Sequence, residues 1–580
     1  MYNNYNNPIL DKLPNHLKQY IVNQNYAHYT PIDHAVWRYV MRQNYSYLKD
    51  VAYYPYIPGL KKAGLTIEHI PDLQTMNDHL QKIGWAAATV NGFIPSQAFM
   101  EFQAYKVLVI AADIRQIEHI EYTPAPDIIH ESAGHAPIIG EEEYAAYLQF
   151  TGEVGSKAMI SEKDYQLFEA IRHLAMLKEL HGAPQKSIDE AEEILRGIQG
   201  NMGEPSEMAL LSRLHWWTVE YGLIGTLENP KIYGAGLLSS IGESVSCMSS
   251  NVKKIPYTID AVNYSYDITK PQPQLFVTPD FQNLTNVLDA FSQTLSYKVG
   301  GADGLRKAIE CKSVCTAVYS SGLQVSGIFI GESNNKISYI KTIGETSLSF
   351  DNKELEGHGK VYHADGFGSP VGKLKEYDLP LEDFSEADLK NIGIEEDEKI
   401  KLEFESGVTV EGILKQITRG NGKIILLSFS DCTVKDLKNG RVLFLPEWGM
   451  YDMAVGEKIV SVFSGAADKD AFNQIVYVPK EVPLLPHYDE KTLQLHALYR
   501  KIRDVREQKL ALTELLPIWE NIKQNFKRDW LAALEILEIV GEHDTFSTLR
   551  KEITTYLQYN KIQYPEYQKL IEDGLKIILI

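Results

Sequence analysis

Two histidines five residues apart, His130 and His135, bracket an acid and a glycine in the run Asp127-Ile-Ile-His130-Glu131-Ser-Ala-Gly134-His135. Neutral imidazole is the commonest metal ligand among side chains, because its pKa leaves a lone pair free near neutral pH. On an α-helix, residues four apart share a face, whereas residues five apart diverge by about 140°. The pair therefore meets on one ion only where the helix loosens near Gly134 or ends before His135. Gly134 followed by Pro137 is a stop signal of that kind. A two-histidine site needs a third ligand, and Glu220 is the candidate. Leu210, Leu214, Trp217 and Tyr221 recur at helical spacing around it. A carboxylate on a buried helix is costly unless it is paired or bound to a metal. Two histidines and one carboxylate are the set that holds non-haem Fe(II) with positions left open for oxygen. On the residues alone, other readings stay open: a structural histidine pair, an arginine partner for Glu220, or a zinc hydrolase with Glu131 as base. The hydrolase motif requires four-residue spacing.

Two further stretches carry chemistry. Val90-Asn-Gly-Phe93-Ile94-Pro-Ser-Gln-Ala-Phe99 is a glycine-containing loop with aromatics, suited either to sandwiching a flat ring or to a plain turn with core aromatics. Lys106 to Ile114 is a β-branched, apolar run that predicts a buried strand, and it delivers Arg115 next to the histidine run. A guanidinium presents a rigid fork of donors to a carboxylate; a surface salt bridge is the plainer reading.

Three long runs stand in order. They are Thr123-Pro-x-Pro-Asp127-x-x-His130-Glu131-x-x-Gly-His135, then Trp216-x-Thr-Val-Glu220-Tyr-Gly-Leu, then Tyr233-Gly-Ala-Gly-Leu-Leu-Ser239-Ser-x-Gly-Glu243. Over roughly residues 35 to 300 the chain resembles the pterin-dependent aromatic amino acid hydroxylases. That resemblance implies Fe(II) on His130, His135 and Glu220, and a tetrahydropterin against Phe93, Ile94 and Phe99, with Glu131 close by. It places the α-carboxylate of an aromatic L-amino acid on Arg115, with Thr123 and Ser239 nearby and Asp127 behind. Pro126, Trp216, Tyr221 and Gly236 would line the ring pocket, and Ser239 would orient His130. The implied reaction consumes O2 and hydroxylates the ring of a free aromatic amino acid, with phenylalanine to tyrosine as the expected case. Tyrosine or tryptophan hydroxylation, and a non-catalytic metal- or ligand-binding scaffold, are the alternatives. Departures from the family pattern are Ala125, Ser132-Ala133, His215 and the hydroxyl of Tyr221, and they bear on which ring is accepted.

The elements that must position these residues follow from patterning. Residues 9 to 20 predict a short amphipathic helix. Residues 31 to 49 predict a longer one, opened by Pro31, Ile32 and Asp33, with Val36, Trp37, Val40 and Met41 on its apolar face. Between the second histidine and Glu220 lies extra sequence at about 155–204, expected as an inserted helical hairpin whose second helix opens on a Ser187-to-Glu190 capping box. From Cys315 to about 480 short β-rich runs with turns such as Asn421-Gly422 predict an antiparallel sandwich or barrel. His358, His363 and Asp365 there read as a turn. Past Pro483 and Pro486, four helical patterns predict an α-helical tail. The expected fold class is thus mixed and multi-domain. It comprises a mainly α catalytic domain of the hydroxylase fold over 1–300, a β-rich antiparallel domain over 301–482 and a helical domain over 483–580. The carboxyl-terminal half is the expected surface for a homo-oligomer.

Composition bounds the rest. A chain of 580 residues holds more than one domain. The formal net charge of −20 argues against a nucleic-acid or acidic-membrane partner. No apolar run reaches membrane-spanning length, and the amino terminus lacks a basic-then-apolar signal. Four scattered cysteines fit reduced thiols, and the expected location is the cytoplasm.

Overall fold

Thr30 and Asp33 close a capping box in which each side chain accepts from the other's backbone N–H, and Pro31 presets the first helical turn. The helix they open, Pro31–Val51, buries Val36, Trp37, Val40 and Met41 as their spacing requires, and it is the axle of the structure. The computed structural model describes residues 5–92, 94–121, 126–179, 184–267, 270–331, 337–474, 488–541 and 543–578. Ahead of this helix, the single helix expected over 9–20 is instead two four-residue turns, Pro8–Asp11 and Asn15–Lys18. Pro14 separates them and starts the second.

The strand expected over Lys106–Ile114 forms as Val107–Ala111, paired in parallel with Ala86–Val90, and every residue of both strands is buried. Parallel pairs are covered on both faces, which is why their sequences read as unbroken apolar runs. A four-stranded mixed sheet of short strands closes the far side of the site. The insert forms two helices, Glu162–Glu179 and Gln185–Gln199, that pack on each other. The second starts at Gln185 behind Pro184, so Ser187 sits inside the helix and the expected capping box is not its start.

Beyond Gly301–Cys311 the chain builds two antiparallel sheets. The longest hairpin, Val408–Gly420 with Lys423–Asp436, turns on Asn421 and Gly422, both at positive φ (48° and 84°). That is the conformation the Asn-Gly pair selects, because its twist matches that of the strands. Each sheet has its own apolar cluster.

The tail contains five helices of eight or more residues among the described residues: Glu490–Arg506, Leu515–Asn525, Trp530–Val540, Ser547–Gln563 and Gln568–Ile578. Its packing is the main departure from a bead-on-string reading. One continuous apolar cluster runs from Ala35 to Leu295 and again from Leu498 to Leu575. Tyr39, on the Pro31–Val51 helix, packs edge-on to Trp530 with ring centres 5.2 Å apart, and its hydroxyl donates to Leu570 O at 2.7 Å. Beside it Arg38 pairs with Glu538 and Glu535, while Arg42 and Arg506 reach the same carboxylates. The tail helices therefore spend their apolar faces on the amino-terminal region of the same chain. No helix among the described residues is long and apolar enough to cross a membrane.

Candidate active site

Both ligand-bearing segments depart from α-helix in the same way. Ile129–His135 and Trp216–Glu220 are π-helical. A π-turn bonds i to i+5, one residue wider than an α-turn, and such turns recur at functional sites. Residues five apart then share a face, which is how His130 and His135 come to look the same way. The loosening expected at Gly134 thus extends over the whole segment. Its physical source is legible locally. Ser132 Oγ donates to Ile128 O, and Thr218 Oγ1 donates to Leu214 O at 2.7 Å. A hydroxyl that takes the carbonyl four residues back competes with the backbone ladder. At the second segment the displaced N–H of Tyr221 bonds Trp216 O at 2.8 Å instead.

Glycines let the three segments close up. A Cβ on Gly134 would lie 2.7 Å from Ala235 O, and one on Gly234 would lie 2.5 Å from Glu220 O. With both backbones in contact, the side chains converge. His130 Nε2 lies 3.3 Å from Glu220 Oε2, and His135 Nε2 lies 3.4 Å from Glu220 Oε1. The imidazole rings stand perpendicular, with centres 5.1 Å apart. Two ligand atoms each about 2.1 Å from one ion at a tetrahedral angle lie about 3.4 Å apart. Glu220 thus meets each imidazole through a different oxygen at about that spacing, while the donor atoms of His130, Glu131 and His135 all fall within 4.8 Å of one another. His130 Nδ1 lies 2.9 Å from Ser239 Oγ, whose own proton goes to Ala235 O at 2.8 Å. Ser239 must then accept from Nδ1–H, so that in the neutral ring, the form a metal would bind, the lone pair sits on Nε2 on the side of Glu220.

A second carboxylate competes for the role of third ligand. Glu131 Oε2 reaches His135 Nε2 at 3.7 Å but is buried and otherwise without a hydrogen-bond partner among the described atoms. Glu220 touches both imidazoles, so geometry favours it. The electrostatics agree. Burial alone would raise both carboxyls; at Glu220 the imidazoles of His135 and His130 outweigh it and hold the group well below the usual range, whereas at Glu131 burial prevails and raises it. For His130 burial is outweighed by Glu220, which lifts the imidazole to about 9; a bound dication would act the other way, since its ligands must be deprotonated.

Arg115 is buried against Asp127 in a fork: Nε donates to Oδ2 at 2.7 Å and an Nη to Oδ1 at 2.9 Å. Asp127 Oδ1 also accepts from the His130 backbone N–H at 3.0 Å, so one carboxylate ties the arginine to the first ligand segment. The Arg115 charge holds Asp127 below its ordinary range against the effect of burial. Trp216 stacks on Tyr221 at 4.6 Å, and Gly236 lies under Tyr221, where a Cβ would be 2.9 Å from the ring. The Tyr221 hydroxyl donates to Glu243 at 2.5 Å. On the other face of Trp216 lies Tyr266, at 4.4 Å and 9° from parallel. No motif announced Tyr266; only its place in an otherwise unremarkable run near residue 264 would have drawn notice. Phe99 is half-buried and edge-on to His215 at 6.0 Å, and burial pushes that histidine down to about 4. Ile94 is partly buried beside it in the same small apolar cluster, and Pro126 is partly buried. Phe93 and Thr123 lie outside the described residues.

Residues 15–177 and 191–301 match the family described as biopterin-dependent aromatic amino acid hydroxylase; the gap falls at the turn of the helical insert. Phenylalanine-4-hydroxylase of Pseudomonas aeruginosa is 29% identical over 272 residues, which span 46% of this chain and 87% of that enzyme. The human phenylalanine-4-hydroxylase is 29% identical over 285 residues, 47% of this chain and 53% of its own length. Among solved structures, phenylalanine hydroxylase from Chromobacterium violaceum with bound iron(III) and 7,8-dihydrobiopterin aligns over 47% of this chain and 85% of its own, at 25% identity and a TM-score of 0.38. Through residues 15–301, this chain is thus similar to the biopterin-dependent aromatic amino acid hydroxylases.

Proposed function

We propose that the protein is an iron- and tetrahydropterin-dependent monooxygenase that hydroxylates L-phenylalanine to L-tyrosine. The observation that carries the site assignment is the meeting of His130, His135 and Glu220 on facing π-turns, with Ser239 fixing the tautomer that leaves the His130 Nε2 lone pair inward. Ferrous iron and a reduced pterin together supply the activation of O2.

The chain's own residues do the rest. His130, His135 and Glu220 would hold the ion, and a set of three protein ligands would leave coordination positions for the chemistry. Arg115, kept rigid by Asp127, would offer its outer N–H donors to the substrate α-carboxylate, a role the family resemblance gives it together with Thr123 and Ser239. Because Asp127 also holds the His130 backbone, substrate anchor and metal ligand share one support, which favours a fixed distance between them. Pro126, Trp216, Tyr221 and Gly236 form the ring pocket. The Tyr221 hydroxyl is tied to Glu243, so the wall it presents is ring carbon, which suits an unsubstituted phenyl ring. By the family resemblance a pterin would lie against Phe99, Phe93 and Ile94, with Glu131 as a polar neighbour. Burial raises the Glu131 carboxyl above its ordinary range.

Product analysis tests this reading. The full chain is supplied with ferrous salt and phenylalanine, tyrosine or tryptophan, with and without tetrahydropterin. Tyrosine should appear from phenylalanine only when reduced pterin is present. Hydroxylation that proceeds without pterin, or inertness towards all three amino acids, would overturn it.

A further inference from the structure

Outside the hydroxylase region a second set of ligating side chains converges. His358 and His363 stand in the segment between Lys353–Glu354 and Gly368–Pro370, and Asp452 is on the strand Tyr451–Ala454. His358 Nδ1 lies 3.4 Å from His363 Nε2 and 3.8 Å from Asp452 Oδ2, and all three donor atoms fall within 4.8 Å of one another. We propose that His358, His363 and Asp452 form a second binding site for a divalent first-row transition ion, in the β-rich part of the chain.

Three observations carry this. First, the separations are too long for good N–H···O or N–H···N hydrogen bonds, which cluster near 2.9–3.0 Å. They approach the spacing of about 3.4 Å expected of atoms that share one ion, and the donors of the first site stand 3.3 and 3.4 Å apart. Second, Asp452 is on a strand and the turn segment that carries both histidines is tied to another. Leu348 N–H donates to His358 O at 3.0 Å and Thr346 N–H to His363 O at 3.2 Å, so one strand, Tyr339–Phe350, fixes both histidines. Asp452 is register partner to Ser428 on the neighbouring strand, and Ser428 Oγ donates to its Oδ1 at 2.5 Å, leaving Oδ2 for the ion. Third, His363 and Asp452 line a cavity of about 940 Å³ between the two sheets, which Tyr339, Arg441 and Trp448 also border. A site with three protein ligands beside such a cavity has room for further ligands on the ion, as open metal sites do, whereas closed structural sites use four protein ligands. Two imidazoles and a carboxylate suit zinc, iron, cobalt or nickel over calcium or magnesium.

The test counts metal on the full-length chain, using Zn(II) after treatment with a chelator. Equilibrium dialysis of the wild type should give two equivalents. His363→Gln should give one, and His130→Ala combined with Glu220→Ala should also give one, which the further change His363→Gln abolishes. Asp452→Asn, which keeps the side-chain volume, serves as a second variant should His363→Gln fail to fold. The proposal is overturned if the wild type holds one equivalent that survives in folded His363→Gln or Asp452→Asn. It is equally overturned if the His130→Ala, Glu220→Ala chain holds none. A wild type that holds one equivalent, lost in His363→Gln but kept in the His130→Ala, Glu220→Ala chain, would tell against the hydroxylase site and leave this one standing.

Discussion

Ser239 Oγ stands 2.9 Å from His130 Nδ1, and its own proton is committed to Ala235 O. The serine therefore reads out as a tautomer lock from a neighbouring helix. Ser239→Ala should leave the fold intact and lower iron affinity by about 10–100-fold, the usual cost of losing such an outer partner. Chelator competition on the full chain measures this. Unchanged affinity would show that the ring is oriented by packing alone.

Glu220→Ala should remove both tight iron binding and pterin-dependent tyrosine formation. Full activity without bound iron would end the assignment. Glu131→Gln separates the two carboxylates: it keeps a hydrogen-bonding group beside His135, so iron content should stay near the wild-type level.

Arg115→Ala should do two things at once. It removes the carboxylate anchor, raising the KM for the amino acid, and it strands the buried Asp127 charge. Breaking a buried pair from one side costs about 3–5 kcal/mol. Arg115→Ala with Asp127→Ala removes the stranded charge and should recover part of the stability while the KM stays high. Recovery of both would mean that the arginine is only structural.

The carboxyl-terminal helices should prove necessary to the soluble enzyme. Removing residues 488–580 uncovers Tyr39 and leaves Arg38 without Glu535 and Glu538. The shortened chain is expected to aggregate. A milder test is Trp530→Ala, which removes a fully buried side chain and should lower stability by about 3–5 kcal/mol in thermal or denaturant unfolding. Full solubility and activity of the shortened chain would refute a structural role for this region.

Asp529 gives a pH prediction. It caps the Trp530–Val540 helix, accepting from Ala532 N–H at 2.9 Å and from the Tyr499 hydroxyl at 2.7 Å. Burial lifts its carboxyl to about 6, with Glu118 adding to the rise. A carboxyl raised on folding favours the fold while protonated. Its contribution is complete below the ordinary aspartate pKa and is lost as pH climbs through about 6. Asp529→Asn keeps the acceptor and drops the charge, so it should gain on wild type by about 1–3 kcal/mol between pH 5 and 8. An unfolding midpoint difference that does not change over that range would contradict this.

Much of the site was legible because its chemistry demands residue types that are rare together. His130, His135 and Glu220 could be picked out, and the five-residue spacing already required that the helix loosen. That the loosening is a π-turn at both ligand segments was not legible, since it depends on Ser132 and Thr218 bonding back to the chain. The long β-runs appeared where alternation and Asn-Gly placed them. Patterning failed where partners are distant. An amphipathic helix near residue 530 declares a buried face but not that its cover is a helix near residue 40. His358 and His363 do sit in a turn segment, as read, but their approach to Asp452 depends on strand register and was not legible.

The joining of Tyr39 to Trp530 and Leu570 also bears on how the molecule is made. A ribosome releases the long amino-terminal helix early, yet the side chains that cover it emerge last, after both sheets. Until residues 488–578 have emerged, the nascent amino-terminal region has an uncovered greasy flank, and Arg38 has Glu68 but neither Glu535 nor Glu538 as counter-charge. Maturation is therefore tied to synthesis of these helices, and a polypeptide terminated before them would be a client for chaperones rather than a smaller working catalyst.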